Sequence, residues 1–155
     1  MKKNILVAYF SCSGYTKQLA ERINLKVCGD LFEIEPITPY TEEDLDWTDE
    51  NSRSTQEMKD PNNRPPVKNK VENMDQYETI FVGFPIWWGK APTIVNTFLE
   101  SYDLKDKIII PFGTYHSSGI GESDKYLEPS CKGAKYRKAK GFEMGDLDHI
   151  DELIG

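Results

Sequence analysis

Apolar positions along this chain fall into two rhythms. Residues 5–10, Ile-Leu-Val-Ala-Tyr-Phe, form an unbroken apolar run of strand length, as in a strand buried on both faces of a parallel sheet. From Thr16 the interval changes: Leu19, Ala20, Ile23 and Val27 recur at helical spacing, and Gly29 stands beyond them as a terminator. Residues 31–37 alternate, Phe32 and Ile34 against Glu33 and Glu35, which predicts a strand covered on one side or lying at an edge, closed by Pro36 and Pro39. Further apolar runs at 79–84 and 108–110 predict two more buried strands. Between them a helix with Pro92 near its first turn presents Ile94, Val95, Phe98, Leu99 and Tyr102 on one face. The loop 114–121 opens a short helix through Leu127, and residues 134–139 read as a weaker strand whose Lys and Arg suit a guarded sheet edge. A final helix carries Leu147, Ile150, Leu153 and Ile154.

Strands alternating with helices in one direction predict an α/β fold, a three-layer sandwich around a five-stranded parallel sheet with right-handed crossovers. No repeat, low-complexity tract or linker divides the sequence, so residues 1–155 are read as one domain. The least regular stretch runs from Tyr40 to Tyr77. Its acids, Glu42, Glu43, Asp44, Asp46, Asp49 and Glu50, fit a solvated loop, and a helix is possible near 52–59. A segment that long with so little periodicity usually wraps a surface or serves a function.

Charge narrows the classes of partner. Lys and Arg total 19 against 26 Asp and Glu, a formal charge of −7, the wrong sign for a chain that chiefly binds nucleic acid or an anionic membrane. A basic partner protein fits better. Cys12, Cys28 and Cys131 are odd in number and show neither disulfide nor metal-ligand spacing, and the first apolar run is too short for a signal or membrane segment. A cytoplasmic location is expected.

In an open parallel sheet, ligands bind beyond the carboxyl ends of the strands, so the loops after the three apolar strands should converge. The first, Ser11-Cys12-Ser13-Gly14-Tyr15-Thr16, brings backbone N–H groups, a glycine and three hydroxyls to a helix N-terminus, which suits a phosphate; an ordinary helix cap is the plainer alternative. It lacks the Gly-Lys-Ser/Thr of a P-loop. Cys12 also lacks the Arg six residues on that a Cys-based phosphatase loop needs, since Gln18 stands there. The second loop, Pro85-Ile86-Trp87-Trp88-Gly89, sets two large aromatics past a buried strand, as core or as stacking surface for a flat heteroaromatic ligand. The third, Thr114-Tyr115-His116-Ser117-Ser118-Gly119-Ile120-Gly121, adds another aromatic wall, hydroxyls and glycines. His116 reads first as a solvent-exposed loop residue.

The stretches 9–17, 83–92 and 118–121 together resemble the flavodoxin family, especially its short bacterial flavodoxin-like members, over nearly the whole chain. The resemblance implies strand order 2-1-3-4-5 with FMN at the switch point, the arrangement for which flavodoxin is a standing example. It implies that Ser11, Ser13, Gly14, Tyr15 and Thr16 hold the FMN phosphate, with Cys12 giving an amide, and that 85–89 and 114–119 flank the isoalloxazine. Cys12-Ser13 stands where Arg-Thr or Gln-Thr is more usual, and Tyr115-His116 where small residues are common. The implied role is electron transfer between redox partner proteins, a reductase and an acceptor. The alternative is an NAD(P)H-dependent quinone or azo reductase in which Tyr115 or His116 gives a proton.

Overall fold

The three apolar runs form the middle of a single sheet. The computed structural model describes residues 4–12, 14–116, 119–143, 146–148 and 150–154. Its strands are β1 (Ile5–Tyr9), β2 (Asp30–Glu33), β3 (Thr79–Pro85), β4 (Ile108–Tyr115), β5 (Lys135–Tyr136) and β6 (Lys140–Glu143). Every pairing is parallel, in the order β2-β1-β3-β4-β5, and β6 also pairs with β4. The helices are α1 (Tyr15–Val27), α2 (Arg53–Lys59), α3 (Thr93–Glu100), α4 (Ser123–Leu127) and α5 (Ile150–Ile154).

Alternation along the central strands sends side chains to two separate cores. Val7, Tyr9, Phe81, Ile110 and Phe112 meet Leu19, Ala20 and Ile23 of α1 and Ile150 and Leu153 of α5. Leu6, Ala8, Ile80, Val82 and Ile109 meet Ile94, Val95, Phe98 and Leu99 of α3. These two cores make the three layers. Phe112 is wholly buried because its register partner is Gly83, where a Cβ would lie 2.4 Å from the phenyl ring.

Several boundaries differ from the sequence reading. The strand read at 31–37 is Asp30–Glu33, since Pro36 leaves the ladder to bridge Val67. The strand read at 108–110 continues to Tyr115, so Thr114 and Tyr115, the first residues of the third loop, are still paired in the ladder. The fifth strand, read at 134–139, is broken into two, which gives the sheet six strands. From Ile109 to Phe112 the chain advances three residues, while the matching step from Tyr136 to Lys140 takes four. This is a one-residue bulge. Arg137 N–H still donates to Ile109 C=O (2.9 Å), but Ala139 N–H loses the ladder and donates to Asp124 Oδ1 (2.9 Å). The same oxygen accepts from the Tyr136 hydroxyl (2.6 Å), so the start of α4 is tied to the bulge. Among the described residues, no helix is long and apolar enough to cross a membrane.

Buried tyrosines predict where the fold loses stability at alkaline pH. Burial, with the carboxylates of Glu33, Glu21 and Glu35 nearby, pushes the Tyr9 hydroxyl up to about 12 from an ordinary value of 10.0. Burial and then the hydrogen bond to Asp30 (2.6 Å) do the same for Tyr77, also up to about 12. A pKa raised by folding stabilises the native chain fully below the unfolded value and is lost as pH rises through the folded value. The melting temperature is therefore expected to hold to about pH 10 and to fall steadily from pH 10 to 12. A scan of Tm against pH checks this, and a decline complete by pH 10 would contradict it.

Candidate functional site

The loops after β1, β3 and β4 converge at the carboxyl edge of the sheet, and hydrogen bonds join each to the next. Phe10 N–H donates to Gly83 C=O (2.9 Å), and Ile86 N–H to Thr114 C=O (2.9 Å). The Thr16 and Thr114 hydroxyls, both buried, lie 2.7 Å apart and connect the first loop to the third. Glu122 N–H donates to Gly89 C=O at 2.7 Å and closes the third loop on the second.

In the first loop Gly14 takes a left-handed conformation (φ 93°) at the N-cap of α1, with open space where a Cβ would be. Its N–H donates to Ser11 Oγ (3.2 Å), and its own position supplies no side chain to cap the helix. The first N–H groups of a 13-residue helix thus stand at a hydroxyl-rich loop, a donor set that fits an anion. Tyr15 is exposed and Thr16 buried. Cys12 is exposed, and the surrounding protein pushes its thiol up to about 12, desolvation outweighing the opposing charge of Arg53. Ser13 lies outside the described residues, as do Ser117 and Ser118.

The second loop separates its two tryptophans. Trp87 and Lys90 bridge each other through both backbone pairs (2.9 and 3.1 Å), with Trp88 at φ 50° and Gly89 at φ 76° between them. Both central residues at positive φ define a type I′ turn. Trp87 turns inward and packs edge-on against Phe10 (5.8 Å) and Tyr40 (5.5 Å). Trp88 stands 48% exposed at the tip. A bulky residue at positive φ is costly, and such strain gathers at ligand sites. Pro85 is buried at the end of β3 and Ile86 is half-buried. In the third loop Tyr115 is half-buried, His116 exposed, and Gly119 (φ 74°) and Gly121 (φ 60°) carry the left-handed turns. A Cβ at Gly121 would lie 2.0 Å from the Gly89 carbonyl oxygen, so only glycine lets these two loops touch.

The irregular stretch brings residues to this place that the sequence reading did not assign. Ser52 caps α2 by accepting from Thr55 N–H, and Arg53 donates Nε to Glu57 (3.0 Å) and Nη1 to Thr38 C=O (2.7 Å). The guanidinium lies 3.8 Å above the ring of Tyr40, whose hydroxyl donates to Glu57. Burial, then that hydrogen bond, raises the Tyr40 hydroxyl far above its ordinary value. Tyr40 and Leu45 share a cavity of about 310 Å³ with Ser11, Cys12, Glu33 and Glu35, so the acidic segment borders the first loop. A capping serine followed by an i, i+4 Arg–Glu pair was the readable signal.

A family model described as flavodoxin matches residues 4–150. The chain belongs to the flavodoxin family. Among solved structures, one from Bacteroides eggerthii, provisionally described as a flavoprotein, is 42% identical with a TM-score of 0.91, covering 99% of this chain and 96% of its own. A similarly described one from Bacteroides uniformis is 40% identical, TM-score 0.91, covering 99% of each. A flavoprotein from Lactobacillus acidophilus, solved in complex with FMN, shares the fold at TM-score 0.71 and 20% identity over the full length of both chains. No match is found among curated proteins. The flavodoxin order of strands, expected from the resemblance, is present, with β6 added.

The turn geometry carries a test of its own. In the ligand-free chain Trp88→Gly is expected to be more stable than Trp88→Ala by about 1 kcal/mol, reversing the usual order, because glycine takes positive φ without steric cost. Urea unfolding of the two variants measures the difference. An alanine variant at least as stable as the glycine variant would mean the turn does not hold this conformation.

Proposed function

We propose that this flavodoxin-family chain holds one FMN non-covalently and carries electrons between protein partners, a reductase and an acceptor. The observation that carries the reading is a helix N-terminus without a side-chain cap at Gly14, joined by hydrogen bonds to loops bearing Trp88 and Tyr115. In it, Ser11, Ser13 and Thr16 offer hydroxyls and Cys12, Gly14 and Tyr15 offer amides to the phosphate. Residues 85–89 and 114–119 flank the ring, with Trp88 and Tyr115 as its aromatic walls and Trp87 as support behind the turn. When bound, FMN supplies one- and two-electron chemistry; the protein supplies binding, orientation and electrostatics. The FMN complex of the Lactobacillus acidophilus flavoprotein supports the choice of cofactor.

Charge placement favours a carrier over a reductase. Glu42, Glu43, Asp46, Asp49 and Glu50 are exposed on the segment beside the first loop, and Asp46 and Asp49 bond chiefly to their own turns. The basic run Lys132–Lys140 surrounds β5 and reaches the start of β6, at the sheet edge opposite β2. An acidic border attracts a basic protein and repels an anionic pyridine nucleotide.

Thr16→Ala tests the phosphate site. A hydrogen bond to a charged group is worth about 1.5 to 3 kcal/mol, so FMN binding should weaken roughly tenfold or more. Riboflavin, which lacks the phosphate, should bind nearly unchanged. Equal losses for both ligands in a fluorescence titration would assign Thr16 to the fold alone, through its bond to Thr114.

Steady-state kinetics separate carrier from reductase. The FMN-loaded protein is expected to oxidise little NADPH or NADH in the presence of a quinone, and to be reduced rapidly once a flavodoxin reductase is added. That rate should fall with salt, which screens charges beyond about 10 Å at 0.1 M ionic strength. Turnover of NAD(P)H and quinone without added reductase, saturating in both, would favour the quinone or azo reductase reading, with Tyr115 or exposed His116 as proton donor.

A further inference from the structure

We propose that Gly141, on the edge strand and outside all three loops, is a positioning residue that seats the ring of Tyr115. The proposal rests on the reading of Tyr115 as a wall of the flavin site. A Cβ at Gly141 would lie 2.7 Å from Tyr115 Cε1 and 3.1 Å from Cδ1, well inside the usual carbon contact of about 3.5–4.0 Å. The ring therefore occupies the space that any side chain at 141 would fill.

Backbone conformation does not explain this glycine. Gly14, Gly89, Gly119, Gly121 and Gly133 have positive φ; Gly141 does not. What demands glycine here is the ring. Gly113, its register partner on β4, is under the same kind of demand: a Cβ there would lie 2.7 Å from Ile120 Cδ1 and 2.8 Å from Ile86 Cδ1. Side by side, the two glycines form a bare backbone floor on which Ile86 of the second loop and Tyr115 and Ile120 of the third come to rest.

The bulge is what brings Gly141 to this floor. Were the edge to continue from the Ile109–Tyr136 pair without the extra residue, Lys140 would stand beside Gly113 in place of Gly141. A long side chain would then compete with Tyr115 for the same space. Asp124 holds the bulge by accepting from Ala139 N–H and the Tyr136 hydroxyl, so it acts one step further back in the same device. Tyr115 also borders a cavity of about 270 Å³ with Lys140, Gly141, Phe142 and Glu143, which gives the ring room to shift when it is pushed. Gly141→Ala should accordingly fold and misplace the ring.

The test compares the wild type with Gly141→Ala, Tyr115→Leu and the double variant, using the full chain. In the ligand-free protein, Gly141→Ala is expected to move the Tyr115 ring resonances in NMR spectra while Tm changes little. In FMN titrations it is expected to weaken binding about fivefold or more, the scale of a mild overpacking, and to shift the flavin midpoint potential. In the Tyr115→Leu background the same substitution should change neither affinity nor potential. Unmoved ring resonances in Gly141→Ala overturn the seat, whether or not FMN binds. A penalty that persists undiminished in the double variant overturns action through Tyr115. If Tyr115→Leu itself leaves affinity and potential unchanged, the wall reading falls and this proposal with it. A wild type that takes up no FMN fails the functional reading alone, since the resonances still report on the seat.

Discussion

Backbone contact between the second and third loops is the constraint on which the site depends. The Glu122 N–H bond to the Gly89 carbonyl and the Gly121 backbone pressed against the same oxygen leave the type I′ turn one arrangement. The turn in turn decides that Trp87 faces the interior and Trp88 the outside. Because neither group belongs to a side chain, the lock is expected to tolerate most substitutions nearby and to fail at Gly121. Holding the loops in place before a ligand arrives reduces the ordering that binding must impose.

A second layer of support comes from the stretch between β2 and β3. Arg53 is flanked by Glu57, the Thr38 carbonyl and the Tyr40 ring, and Tyr40 presses on Trp87 behind the turn. A half-buried guanidinium is acceptable here because its donors find oxygens and its face finds an aromatic ring. Through these contacts the chain's most polar segment ends up bracing its most aromatic loop.

Much of the fold could be read from the sequence because buried parallel strands leave continuous apolar runs that nothing else in the chain imitates. Residues 5–10 and 79–84 gave their strands within a residue or so, and the order of loops followed from topology. The third strand reads too short in sequence because Pro111 and Gly113 have poor strand propensity. They are held there by pairing with Val82 and Phe84, a tertiary effect. The bulge is hidden in the sequence for a similar reason, since Asp124, fifteen residues from Ala139, supplies the missing acceptor. Within the site, residue types were legible and orientations were not. Trp87 and Trp88 are adjacent and alike, and only the turn separates a support from an exposed face.

Uneven spacing of charge has a mechanical consequence. Exposed acids crowd the stretch 42–50, with Lys68 and Arg53 as nearby cations, while Lys135, Arg137 and Lys138 gather on β5 and the bulge, where Lys140 is paired with Glu152 (2.6 Å). A body of net charge −7 whose charge is spread unevenly is turned as well as pulled by the field of another charged molecule. Its encounters with charged molecules are therefore expected to depend on orientation before any surfaces touch.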